Sequence, residues 1–444
     1  MNRLAYVAGA AGLLFIAGCS SSWFSDAPPP STGYAVGDEP TAVKIASQVL
    51  AQGGSAADAA TAMYFTMSVA YPVAAGLGGG GICIVHDPAR GENEMIDFLP
   101  RDPAGGGDYA MPGAVRGMEA LQGTYGRLPW QRAIGPAEGM AGAGFAISHA
   151  LEQRLLASQN AVRLDADLAA EFIDESGALR KEGSVVSNAD LAATLARIRE
   201  SGANGFYRGA VAQAIADYAA SQGGKITADE LSAYAAQREA ASAMALGQRT
   251  GYLVSPRLGA GKFADVLFRR LVSDVAAAPN LRNLTAASTK QALDEFKIAS
   301  LPADLGATGF ATADSAGQAV ACAVTMNGPF GSGHTVPKTG VTLATAPAKG
   351  STGLSPAFLA PAIVLESDGS LLFAGAGAGG PNGSAAIGYE LARIARGDDL
   401  LQGGSVNVTG LEPASTINFI ACRSGACIAV ADPLASGLGV SVAQ

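Results

Sequence analysis

Gly306–Gly333 constrains the fold more than any other stretch: two apolar runs of small residues are joined by a short turn and closed by a glycine-rich loop. The first run, Thr308 to Ala313, and the second, Ala319 to Thr325, flank Asp314-Ser-Ala-Gly317, which is the pattern of a β-hairpin. Runs this apolar are core strands. Small side chains let a neighbouring layer approach closely, and a site beside the hairpin is expected.

Upstream, Asp38 to Gly54 has apolar residues at helical spacing and stops on Gly-Gly, as a helix with a glycine C-cap does. Ser55-Ala-Ala-Asp58 restarts an alanine-rich helix to about Ala70, followed by Gly76-Leu-Gly-Gly-Gly-Gly81 and a strand over Ile82–His86. Together with Asp-Ser-Ala-Gly-Gln-Ala-Val and Val-Thr-Met-Asn-Gly-Pro-Phe-Gly-Ser-Gly in the hairpin region, these segments resemble the gamma-glutamyltransferases, also called glutathione hydrolases, a family of N-terminal-nucleophile hydrolases. The likeness runs over about four fifths of the mature chain and fades between Gly251 and Leu305.

The resemblance implies an α+β fold, a four-layer αββα sandwich, in one domain over residues 34–444. The part to 307 would be large-subunit-like and 308–444 small-subunit-like. It further implies a chain that cuts itself before a Thr, whose hydroxyl then attacks a small gamma-glutamyl or related amide with the new α-amine as base, without a cofactor. Aligned on Phe310 and Asp314, however, the family's nucleophile position holds Ala307, its second Thr is Thr308, and its His is replaced by Gly309. Alanine has no hydroxyl. Two readings follow: Thr308 is the nucleophile after a cut between Ala307 and Thr308, or the chain is an unprocessed, inactive binding or scaffold protein. A one-residue slip along a strand turns the side chain to the opposite face, which weighs against the first.

Other positions are carried over by the same resemblance. Gly379 and Gly380 would donate backbone N–H groups to an oxyanion; read alone, the loop also suits a tight turn, and through Gly375, Gly377 and Gly380 it matches a lone dinucleotide-type glycine pattern that no acidic ribose partner follows. Thr325 and Asn327 would surround substrate and nucleophile, although an Asn there also suits a strand-end cap. The cationic half of a substrate clamp is missing after Asp97-Phe98, leaving Arg101 as the substitute. The acidic half falls on Val341–Ala346, which has no carboxylate, and the family's paired Ser falls near Ala357-Phe358.

The three histidines, His86, His149 and His334, lie far apart without a second ligand at metal spacing, so no metal site is expected. Residues 1–18 read as a lipoprotein signal peptide, with Ile16-Ala-Gly-Cys19 resembling a lipobox and Cys19 as the acylated residue. Residues 19–33, rich in Ser and Pro, read as a tether. A lipid-anchored protein on the periplasmic face, at the outer membrane, is the expectation. Cys422 and Cys427 flank a four-residue turn and could pair or remain core thiols, while Cys83 and Cys322 read as small core residues. With 15% charged residues and a net charge of -9, nucleic acid and anionic membrane surfaces are poor partners.

Overall fold

The structure is a computed structural model describing residues 31–255, 261–298, 300–302, 304–347, 355–401, 416–433 and 435–443. Cys19 and the expected signal peptide lie outside them. The first strand, Ser31–Gly37, begins within the stretch read as a tether.

Two antiparallel sheets lie face to face. The seven-stranded sheet runs Leu438–Ala443, Ser31–Gly37, Ala307–Asp314, Ala319–Thr325, Gly80–Asp87, Glu92–Asp97, Gln237–Ala240. The six-stranded sheet runs Ala426–Val430, Thr416–Arg423, Leu371–Ala378, Ala360–Leu365, Arg249–Leu253, Ser242–Leu246. Helices cover the outer face of each, giving four layers and three cores: helix to sheet, sheet to sheet, and sheet to helix.

The hairpin occupies the centre of the larger sheet, so both of its faces are buried. Its odd-numbered residues Ala307, Ala311, Ala313, Ala319, Ala321 and Ala323 meet the second sheet, whereas Phe310, Val320, Cys322 and Val324 meet the helices. Methyl-sized side chains let the sheets close up. A Cβ on Gly309 would come within 2.6 Å of the Ala376 carbonyl of the opposite sheet, so no larger residue fits there without shifting backbone.

Helix Ala56–Ala70 is buried on all sides and starts on a capping box formed by Ser55 and Asp58. The hairpin turn completes that start, with Asp314 Oδ2 accepting from Ala56 N (3.3 Å) and Gln318 Oε1 from Ala57 N (3.0 Å). Acceptors at a helix N-terminus satisfy its free N–H groups. Where the family likeness fades, helices Lys262–Asp274 and Leu281–Glu295 pack with Pro381–Arg396 in the core beneath the six-stranded sheet. Among the described residues, no helix is long and apolar enough to cross a membrane.

Cys83 and Cys322, expected as separate core residues, are bonded to each other. They stand directly opposite on neighbouring strands, which brings their Cα atoms to 4.1 Å, and only the strand register reveals this. Cys422 and Cys427 are likewise bonded across the turn between the last two strands of the second sheet.

Candidate functional site

A cavity of about 460 Å³ opens where the chain enters the hairpin, lined by Ala307 and Ala378 from the two sheets, by Gly379 in the loop that follows, and by Tyr71, Arg154 and Asp304. The approach to Ala307 is tightly held. Gly306 has φ +59°, and a side chain there would run into the carbonyl of Gly328. Its N–H donates to Asp304 Oδ1 (2.7 Å), and its carbonyl accepts from Met326 N (2.8 Å) and Thr325 Oγ1 (3.2 Å).

Arg154 and Asp304 form an ion pair, with Nη2 donating to Oδ1 at 2.8 Å and Nε lying 2.7 Å from Oδ2 without a hydrogen bond, while Arg154 Nη1 donates to the Tyr71 hydroxyl (3.3 Å). Burial works against the Arg154 charge, but Asp304, Tyr71 and Asp38 outweigh it and hold the guanidinium more firmly protonated than usual. Burial pushes the Tyr71 hydroxyl up, so it stays neutral.

Thr308, one residue on, points the other way. It is fully buried, and its hydroxyl donates to Asp38 Oδ2 at 2.6 Å. Asn418, from the second sheet, donates from one amide nitrogen to Asp38 Oδ1 (2.7 Å) and to the Gly309 carbonyl (2.8 Å). Thr308 is therefore held in a buried network that ties the first strand, the hairpin and the second sheet together, and it does not line the cavity.

Of the other residues singled out in the sequence, Gly379 lines the cavity, with φ +92°. Gly380, with φ +125°, caps helix Pro381–Arg396 from just outside it. The dinucleotide reading of this loop is corrected by topology: the strand carrying Gly375 and Gly377 is antiparallel to both neighbours, whereas that fingerprint belongs to a parallel βαβ unit. Thr325 bonds to Ser355 Oγ (2.7 Å) and receives the Asn327 N–H (2.8 Å). Asn327 sits at the strand end with φ +56° and donates to the Thr345 carbonyl (2.9 Å). Neither lines the cavity, and Arg101 does not either: it lies over the Tyr234 ring, 3.7 Å from Asp97.

Tyr71, Arg154, Asp304 and Asp38 carried no signal in the sequence. Arg154 and Asp304 are 150 positions apart and match no motif. The structure also brings the ligand atoms of His149, Glu152 and Glu182 within 4.8 Å of one another on the surface, a grouping that local spacing did not indicate because Glu182 comes from a distant loop.

The sequence model described as gamma-glutamyltranspeptidase matches residues 42–267 and 241–352. The chain is 28% identical over 433 residues to the glutathione hydrolase proenzyme of Arthroderma benhamiae, covering 75% of this chain and 74% of that protein. It is 33% identical over 203 residues to scoloptoxin SSD14 of Scolopendra dehaani, and 31% over 243 residues to glutathione hydrolase 2 of Arabidopsis thaliana. Those two matches cover 42% and 51% of this chain but only 35% and 42% of the relatives' own length. In structure, cephalosporin acylase from Bacillus halodurans superposes with a TM-score of 0.73 at 17% identity, over 97% of this chain and all of that one, a likeness of fold alone. The gamma-glutamyltranspeptidase of Helicobacter pylori superposes with a TM-score of 0.53 at 28% identity, over 58% of this chain and 81% of that one. The two-sheet sandwich with its central hairpin is thus the N-terminal-nucleophile hydrolase fold, and by sequence the chain belongs to the gamma-glutamyltranspeptidase family.

Proposed function

We propose that this protein is an unprocessed, catalytically silent member of the family, which binds a small molecule in the cavity beside Ala307 and is held at the bacterial envelope through a lipid on Cys19. One observation carries the reading. At the cavity the strand presents the methyl group of Ala307, and the neighbouring hydroxyl, Thr308, is spent on Asp38 on the opposite face. A nucleophile must reach both its base and the reacting carbonyl. Ala307 has no oxygen, and Thr308 has no path into the cavity without turning the strand over.

Incubating the purified chain with gamma-glutamyl p-nitroanilide tests this: release at the buffer rate is expected, and turnover that disappears in Thr308→Ala would overturn the reading. The competing reading, hydrolysis by a Thr308 freed by a cut after Ala307, draws on the 2.6 Å contact between that hydroxyl and Asp38, a carboxylate placed as a base would be. It requires fragments on a reducing gel. For the anchor, Cys19→Ser is expected to move the protein from the membrane fraction to the soluble one.

A further inference from the structure

We propose that the cavity accepts an uncharged acyl amide in place of a zwitterionic gamma-glutamyl compound, an inference that rests on the uncleaved reading above. Charge comes first. Among the described residues lining the cavity, the charged side chains are Arg154 and Asp304, and each is the other's partner through two contacts. Asp304 additionally accepts the Gly306 N–H, and the two side chains are only 19% and 17% exposed. A ligand ammonium or carboxylate would have to break this pair and leave one charge half-buried and alone, which costs more than the new contact returns.

The uncharged surroundings describe the rest of the ligand. Ala150 and Ala157 on one helix, Ala161 on the next, and Pro302 and Pro329 present a hydrocarbon wall. Polar residues line the cavity too: Gln153, Asn160 and Ser436 at its open side, and Ser158 and Gly379 deeper in. Ser158 lines the cavity, is only 7% exposed, and its hydroxyl has no hydrogen-bond partner among the described residues. Gly379 lines it too, and no described acceptor takes its N–H. A buried hydroxyl left unpaired is costly, so a ligand that supplies its partner gains that free energy on binding. An amide offers a carbonyl for the Gly379 N–H and an N–H for the Ser158 oxygen, which is shielded from solvent and turns toward the cavity to meet it, while its acyl arm covers the alanines and prolines. The volume, about 460 Å³, lies in the small-molecule range.

The test titrates N-hexanoyl-L-alaninamide, its acid N-hexanoyl-L-alanine, and glutathione into one preparation, by calorimetry, with the reduced intact mass of that preparation measured alongside. The amide is expected to bind at least about tenfold more tightly than the acid, and glutathione to give no heat. Ala157→Phe and, separately, Ala161→Phe fill the cavity from two helices and are expected to abolish amide binding while circular dichroism stays that of the parent. Equal or tighter binding of the acid or of glutathione, no binding of the amide at millimolar concentration, or undiminished binding in whichever filled variant folds would overturn the proposal. Fragments in the mass spectrum would instead sink the uncleaved reading, whatever the binding pattern.

Discussion

The two faces of strand Ala307–Asp314 differ in kind. Toward the helices it carries Thr308, Phe310 and Thr312, and both hydroxyls are committed, Thr308 to Asp38 and Thr312 to the Ala56 carbonyl at 2.8 Å. The Cys83–Cys322 bond lies on this side as well. Toward the second sheet the strand carries only Ala307, Gly309, Ala311 and Ala313, and at Gly309 the Ala376 carbonyl leaves no room for more. Hydroxyls on one side of this strand serve stability, and the side that meets the cavity has none. Position within a period of two therefore decides what a Thr can do, more than its presence in a motif.

The contrast can be broken most forcefully at the disulfides, one on each side. Cys83→Ala with Cys322→Ala, on the helical side, releases a link across 239 positions and is expected to lower stability by about 2–5 kcal/mol. Cys422→Ala with Cys427→Ala releases a link across only 5 and is expected to cost clearly less; urea unfolding of both pairs measures the ratio. Next, Thr308→Ala leaves Asp38 short of a buried donor and is expected to cost about 1–3 kcal/mol, most of it recovered in Thr308→Ser. The mirror change, Ala307→Ser, faces the cavity and is expected to stay within about 1 kcal/mol. If it costs as much as Thr308→Ala, the two faces are not distinct.

A smaller effect separates the helical layer by pH. Burial pushes the Glu171 carboxyl up to about 7 from its ordinary 4.5, against the hydrogen bond that Asn188 donates at 2.9 Å. Between those values the folded chain keeps a proton that the unfolded chain releases, so this group's contribution is greatest below pH 4.5 and declines as pH rises toward 7. Allowing for its partial exposure, the decline is on the order of 1–2 kcal/mol. Glu171→Gln is expected to flatten that slope in unfolding midpoints measured from pH 4.5 to 7, and an unchanged slope would assign the effect elsewhere.

Much of the fold was legible because its signals are local. The capped alanine helix, the glycine run and the hairpin turn each announce themselves within a few residues. Alternation along the strand already put positions 307 and 308 on opposite faces. What stayed hidden depends on register or on distant pairing. Cys83 meets Cys322 only because two strands align residue for residue, and Arg154 meets Asp304 from opposite halves of the chain. The lining of the cavity thus could not be read before the layers were stacked.

The central claim, that no hydroxyl is placed to cut this chain, is tested most directly by the intact mass of the purified mature protein after full reduction. Reduction is essential, because Cys83 and Cys322 stand on either side of the junction and would hold a cut chain together, heavier by a single water. The expected result is one species whose sequence continues unbroken through Gly306, Ala307 and Thr308. Two species, one of them beginning at Ala307 or Thr308, would contradict it.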